Sequence, residues 1–366
     1  MRRAVGPLGR LRQDAADWLM SQPHAPHALA AARILVGLSV LGLLVTNFSN
    51  RQMWVGDASL WAEPTRAVSR FPEIALLDGV SADILTVAYV IVLLAAVAFI
   101  VGWHTKAANV VLLVGFIAVT GQNPLLATAT DNLLRITLLW MLLMRLAEVW
   151  SLDVAREGGD SDQAVPDWLR TGLHNVALVG LGTQVALAYL AAGLHKVAQT
   201  SWQQGTALYS TLQLPEFRPF PAVADLLSLG TVPLALVTWL VLVVQLFFVP
   251  ALLRPFTRDL FVAAAVGVNV LFGVVLATPW SSLVVIAATS LFLSDERWQD
   301  IGFRVADRCA PVTDRVVDAW YAVADKVDDW WYRFVRPIVD WVRVTVLRRR
   351  PGGRRVAQRG SEEPRE

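Results

Sequence analysis

Residues 260–294 read LFVAAAVGVNVLFGVVLATPWSSLVVIAATSLFLS, with no charged side chain anywhere in the run. As one helix this stretch is about 50 Å long, well past the ~30 Å of a bilayer's hydrocarbon core. It must therefore turn back on itself. Thr278-Pro279-Trp280 supplies the corner, because proline ends the hydrogen-bond ladder of a helix. The run reads as two antiparallel membrane helices.

Working outward from it, the same pattern recurs. The 366 residues are 55% apolar with a mean hydropathy of +0.49, and a soluble domain could not bury so many uncharged stretches in one core. Windows with the length and character of membrane helices fall at 28–48, 83–103, 107–126, 131–148, 174–195, 233–253, 259–277 and 279–294. Gly121-Gln122-Asn123-Pro124 separates the third from the fourth. Short alternating strands are missing, which leaves helices as the only way across a bilayer. The expected fold is all-α, a polytopic membrane bundle of about eight transmembrane helices. It occupies 28–297, after a basic cytoplasmic N-terminus at 1–27.

With both termini in the cytoplasm, Arg2, Arg3, Arg10, Arg12, Lys106, Arg145, Arg156, Arg170, Arg254, Arg258 and the tail lie inside. Arg51, Arg66, Arg70, Lys196 and Arg218 lie outside. This bias follows the positive-inside rule and points to a multi-pass plasma-membrane protein. The first apolar segment is too long for a signal-peptide core and reads as a retained helix. The single cysteine, Cys309, excludes an internal disulfide and a cysteine metal site.

After the last span the composition changes. In 298–347, Val316, Trp320, Val323, Val327, Trp330, Phe334, Ile338 and Trp341 recur every three or four positions between charges, the pattern of an amphipathic helix interrupted near Pro337. The chain after Ser294 carries 15 of the 32 basic residues and five of the 15 tryptophans. That mixture fits the bilayer interface and its anionic headgroups; packing on the protein's own loops or on another copy is the alternative. Nucleic acid is not the expected partner, given those tryptophans.

Only three lysines occur in the chain, and Lys196 closes the uncharged run that begins at Thr171. A lysine at a helix end ordinarily snorkels to the interface. Here arginine serves almost everywhere else as the cation, and a desolvated lysine has a chemistry that arginine lacks: it loses its proton near neutral pH and becomes a base or nucleophile. Gly193, a turn earlier, permits close approach of a helix or ligand. His195 points about 100° away from Lys196 and is a second catalytic candidate or a helix cap. In the fourth span Asp131 and Arg135 stand i, i+4, spaced to pair on one face. Arg33, a turn into the first span, is expected to snorkel.

The segment AAGLHKVAQTSWQQGTALY (191–209) resembles the signature of the HTTM superfamily, the horizontally transferred transmembrane domain. Vitamin K-dependent gamma-carboxylase belongs to that superfamily. A small-residue helix ends in Gly-x-x-Lys, followed by a tryptophan and a glycine-led helix start; here these are Gly193, Lys196, Trp202, Gly205 and Tyr209. Asn123-Pro124 with Asp131-Asn132-Leu133-Leu134-Arg135, and Ser294-Asp295-Glu296-Arg297-Trp298, also agree, so the resemblance covers roughly 28–300. It implies that Lys196 is the active-site base, acting on a reduced quinone. Trp202, Gly205, Tyr209, Asp131 and Arg135 would then border the substrate, together with Gln245 and Asn269. At the last two positions many members carry an acidic residue and a histidine, and neither Gln245 nor Asn269 titrates.

Two function classes follow. One is a membrane enzyme using Lys196 on a lipid-soluble, quinone-like substrate or a peptide at the extracytoplasmic side. The other is a non-catalytic maturation or export partner of a small secreted peptide, as the resemblance to the bacterial sporulation-delaying protein B implies. In that case the loop 49–82, with Trp54, Asp57, Trp61, Glu63 and Arg66, helps to dock the peptide. No inverted repeat or row of intramembrane charges supports a transporter, and no phosphate-binding Gly-x-x-x-x-Gly-Lys motif is present.

Overall fold

The computed structural model describes residues 7–52, 81–121, 128–154 and 166–308, apart from 229 and 306. Asn123-Pro124, the aromatic loop around Trp54 and Trp61, and the tail beyond residue 308 lie outside these, so the expected amphipathic helix and basic tail do too. The helical residues 300–305 belong to a second unit, Asp300–Glu366, separate from Met1–Gln299.

Each of the eight apolar windows contains a helix. After an N-terminal helix α1 (Pro7–Ser21) come α2 (Pro26–Thr46), α3 (Ala82–Val101), α4 (Thr105–Thr120), α5 (Ala129–Met141) and α6 (Asp167–Val197). Three short pieces follow, α7 (Thr200–Gln203), α8 (Ala207–Gln213) and α9 (Pro221–Ser228), and then α10 (Thr231–Ala251), α11 (Pro255–Val275) and α12 (Pro279–Ser290). Helices α2, α3, α6, α10 and α11 are long and apolar enough to cross a membrane. The eight expected spans thus resolve into five of full length and three shorter helices, α4, α5 and α12, of 16, 13 and 12 residues. The window at 131–148 was read too long because Leu142–Met144 tighten into turns before the polar Arg145 and Glu148. That at 279–294 stops at Ser290, where the chain turns toward Asp295. The corner between α11 and α12 falls where the sequence places it, with Ala277 in the left-handed region (φ 55°) just before Thr278-Pro279.

These helices close a ring in the order α6, α10, α11, α12, α2, α3, α4, α5 and back to α6. The short α12 also touches α5 and α6 and is the hub. Its Val284, Ala287 and Ala288 are buried in a core with Tyr89, Phe99, Phe116, Leu138 and Phe248. Outward faces are equally apolar: Ile84, Val87, Ile91 and Leu94 on α3, and Leu236, Leu240, Val243 and Phe247 on α10, are exposed. Helices apolar on both sides require hydrocarbon as their solvent.

The ring has two ends. At the end opposite Lys196 the polar groups tie helices together. Asp295 accepts the backbone N–H groups of His27 (2.8 Å) and Ala28 (3.3 Å) and meets His27 Nδ1 at 2.6 Å, capping α2. Asp259 binds Arg258 at 3.2 Å and Arg297 at 2.7 Å, and Arg145 bridges Glu148 and Asp167. Asn175 on α6 donates to the carbonyls of Leu19 and Gln22 and so holds the end of α1. Asp153 clamps the start of α4 through the N–H groups of His104 and Thr105 and the Thr105 hydroxyl, at 2.7–2.8 Å. Burial alone would push the Asp153 carboxyl up, but those hydrogen bonds outweigh it and hold the group below its usual range.

Arg33 corrects an expectation. It does not snorkel: it is fully buried and donates to the Trp150 carbonyl, with Asp153 as its countercharge. The segment 142–154 folds back beneath α3, its Leu152 and Asp153 N–H groups bonded to Val101 and Gly102, and covers the guanidinium before it can reach the interface.

Candidate functional site

Helix α6 spans 31 residues, with Asp167 in its first turn and His195 and Lys196 in its last, each placed to favour the helix dipole. At about 46 Å it overruns the hydrocarbon core, and Lys196 sits on the final turn. Leu181, Val185, Tyr189 and Gly193 are buried and fall with the half-buried Lys196 on one stripe of the helix.

Gly193 is what lets that stripe meet α10. A Cβ there would lie 2.9 Å from the Leu246 nitrogen and 3.1 Å from the Gln245 carbonyl carbon, so the two backbones touch only because the side chain is missing. One turn on, the Lys196 ammonium nitrogen stands 5.1 Å from the centre of the Trp202 ring, within range of a cation–π contact. Among the described residues no carboxylate is in ion-pair range of it. His195 is exposed on another face, its Nε2 2.9 Å from Gln199 Nε2, and does not join the lysine.

The chain after the lysine turns back over the ends of α10 and α11. Gly205 makes this possible, with φ at 73° and the Ala235 backbone 2.9 Å from where a Cβ would be. The turn is pinned on both sides: Gln203 donates to the Val197 carbonyl at 2.8 Å, and the Trp239 indole donates to the Gln203 carbonyl at 3.1 Å. Trp202 packs against a cluster formed by Leu208, Leu212, Leu234 and Val275. Beside it lies a small apolar recess of about 20 Å³, walled by Leu208 and Leu212 of α8, Leu234 and Val237 of α10, and Leu271, Phe272, Val275 and Leu276 at the end of α11. That is room for about one water molecule, so a larger lipid-soluble molecule enters only where these side chains part. Tyr209 is half exposed on the outside of α8 and does not line the recess.

Two turns deeper than the lysine, the Tyr189 hydroxyl lies 2.8 Å from Thr289 Oγ1. Its ring stacks on Phe248 at 4.2 Å. Asn269 donates to the Ala265 carbonyl at 2.8 Å. Gln245 Oε1 is buried without a partner. Asn269 lies on the same stripe of α11 as Leu276, and Gln245 on the same stripe of α10 as Leu234, but neither lines the recess.

Asp131 and Arg135 do not form the expected pair. Asp131 completes a capping box with Thr128, accepting its N–H at 2.7 Å and its hydroxyl at 2.8 Å. Arg135 donates to Thr120 Oγ1 at 2.5 Å, its guanidinium 6.0 Å from the Phe116 ring centre, and its Nε is buried without a partner. The start of α5 needs its amide groups satisfied, and Asp131 is spent there.

A family model for the HTTM domain matches residues 21–298. The chain belongs to the HTTM family. No curated protein and no solved structure matches it. The HTTM match takes in every helix of the ring and the Ser294–Trp298 segment, whose role is now visible: Asp295 caps α2, Arg297 holds Asp259, and the Trp298 indole donates to the Ser290 carbonyl at 3.1 Å. Within the HTTM domain, Tyr189, Thr289 and the recess were not found by sequence reasoning. The i, i+4, i+7 spacing of Tyr189, Gly193 and Lys196 was the available signal, and it placed the tyrosine on the lysine's face.

Proposed function

We propose that this HTTM protein is a membrane enzyme in which Lys196 is the general base toward a lipid-soluble substrate of the hydroquinone type, as in the gamma-carboxylase branch. Its setting would be a bacterial plasma membrane, with both termini in the cytoplasm and the Lys196 end outward, as the distribution of basic residues supports. The carrying observation is the amine's company among the described residues: a half-buried lysine with an aromatic ring and no carboxylate in ion-pair range, that ring packed against the apolar cluster of Leu208, Leu212 and Leu234.

The chemistry follows from that setting. An ion-paired lysine stays protonated, whereas one facing rings and hydrocarbon gains little from its charge and is available as a neutral amine. The amine takes a proton from a substrate hydroxyl, and Trp202 steadies the ammonium so formed. The apolar side chains around the recess part to take the apolar body of the substrate, and the oxyanion left behind is the electron-rich species that reacts onward. Gln245 Oε1 supplies a free acceptor deeper along α10.

The experiment is hydroquinone-dependent oxygen uptake by the protein in liposomes, wild type against Lys196→Arg. Arginine keeps the charge and the ring contact but cannot be deprotonated, so the rate should fall about 100-fold or more. Equal rates would reject the base, and no uptake by either protein would favour the non-catalytic peptide partner.

A further inference from the structure

The segment between Lys196 and α10 raises a separate question, because its helix α9 is apolar on two sides. Ala224 of α9 is buried against Leu208, Leu212 and Leu234, which fixes the inner face. On the other side Phe220, Val223 and Leu226, spaced three apart, are 53%, 39% and 66% exposed. A helix resting on a protein in water shows polar groups outward. This one shows a stripe of large apolar side chains.

We propose that residues 220–228 are sunk into the bilayer leaflet on the Lys196 side, with the Phe220–Val223–Leu226 stripe covered by lipid acyl chains. Charge composition supports that occupant. From residue 197 to residue 253 the only charged residues are Glu216, Arg218 and Asp225, and Arg218 and Asp225 neutralise one another at 2.6 Å. The stripe is also continuous with a lipid-facing surface: Val232 at the start of α10 is 65% exposed, and Leu236, Leu240 and Val243 follow it down that helix. A peptide-docking face would need hydrogen-bonding or charged groups to fix its partner, and this stripe offers none.

The recess has a wall made by α8, through Leu208 and Leu212. With the cap in the leaflet, that wall separates the recess from lipid rather than from water, and a membrane-dissolved substrate is loaded sideways, between α8 and α11. The loading step rests on the function proposed above; the buried stripe does not.

Single cysteines at Val223→Cys and Leu226→Cys, in a chain whose Cys309 is replaced by serine, are reacted with a charged, water-soluble maleimide in nanodiscs. Glu296→Cys, exposed at the opposite end, is the aqueous reference. A thiol in hydrocarbon yields little of the reactive thiolate, so both positions should label roughly tenfold or more slowly than the reference and recover on denaturation. Labelling at the reference rate would overturn the proposal and mark a water-facing surface fit for a peptide. Leu226→Lys gives a second reading: a charge forced into hydrocarbon should lower the Tm, and an unchanged Tm would again overturn it. Neither readout depends on turnover, so failure here leaves the lysine chemistry standing, and loss of that chemistry leaves the buried stripe standing.

Discussion

The two ends of the ring use polar residues in opposite ways. At the end where α2 begins, Asp295 caps a helix and holds His27, Asp259 joins Arg258 to Arg297, Arg145 bridges two carboxylates, and Asp153 clamps α4. The buried Arg33 there has a carbonyl and a countercharge, while its Nε and one terminal nitrogen have no hydrogen-bond partner among the described residues. At the Lys196 end, the lysine has a ring, Arg135 a hydroxyl and an orphaned Nε, and Gln245 an acceptor with no donor. Buried polar atoms without partners occur at both ends, so what distinguishes the Lys196 end is a lysine with no carboxylate in ion-pair range among the described residues. The difference separates scaffold from site, although both ends look alike as apolar helices with a few charges at their tips.

The sharpest structural test is Gly193→Val. The atoms a side chain would meet belong to the Leu246 and Gln245 backbone and cannot rotate away, so α6 and α10 must part. We expect a loss of about 1–3 kcal/mol or more in stability together with loss of turnover, read by thermal unfolding and oxygen uptake. Gly267→Ala, with nothing within 4 Å of its added Cβ, should leave both unchanged. If the two substitutions behave alike, the α6–α10 contact does not organise the site.

At the opposite end, Asp295→Ala should cost stability without touching chemistry. It removes the acceptor for two α2 amide groups and the partner of His27, an effect of about 1–2 kcal/mol for a lost cap. The folded fraction should keep its full specific activity. A fall in rate beyond the loss of folded protein would erase the division between the ends.

Asp153 gives the smallest and most conditional effect. Its carboxyl is held below the usual range in the folded protein, so it stabilises the fold above its unfolded pKa, and that contribution is lost as pH falls through the depressed folded value. Asp153→Asn should therefore lower the Tm at neutral pH, with the gap to wild type closing as the medium is acidified. A gap independent of pH would show that the carboxylate charge is not what holds α4.

Much of the fold could be read from the chain because its signal is long. The uncharged run at 260–294 demanded a hairpin, and proline at 279 placed the corner within a residue or two. Lengths were less legible: nothing in 131–148 says that α5 ends at Met141, since the apolar residues continue through turns packed in the same core. Local spacing misled at Asp131 and Arg135, where i, i+4 geometry competes with the capping needs of α5 and the cap wins. Arg33 was misread because its cover comes from residues more than a hundred positions away. At the site, Gly193, Lys196, Trp202 and Gly205 stood out by residue type and spacing, whereas the recess is formed by leucines, valines and a phenylalanine that no sequence pattern distinguishes from core or lipid-facing neighbours.

The central claim is that Lys196 acts as an amine base and not as a charge. Lys196→Ala, assayed for hydroquinone-dependent oxygen uptake with added small amines, tests it most directly. The truncated protein should be nearly inactive, with activity returning in proportion to added ethylamine and not to guanidinium, which carries the charge but gives up no proton near neutral pH. Full activity without any amine, or equal rescue by guanidinium, would contradict the account.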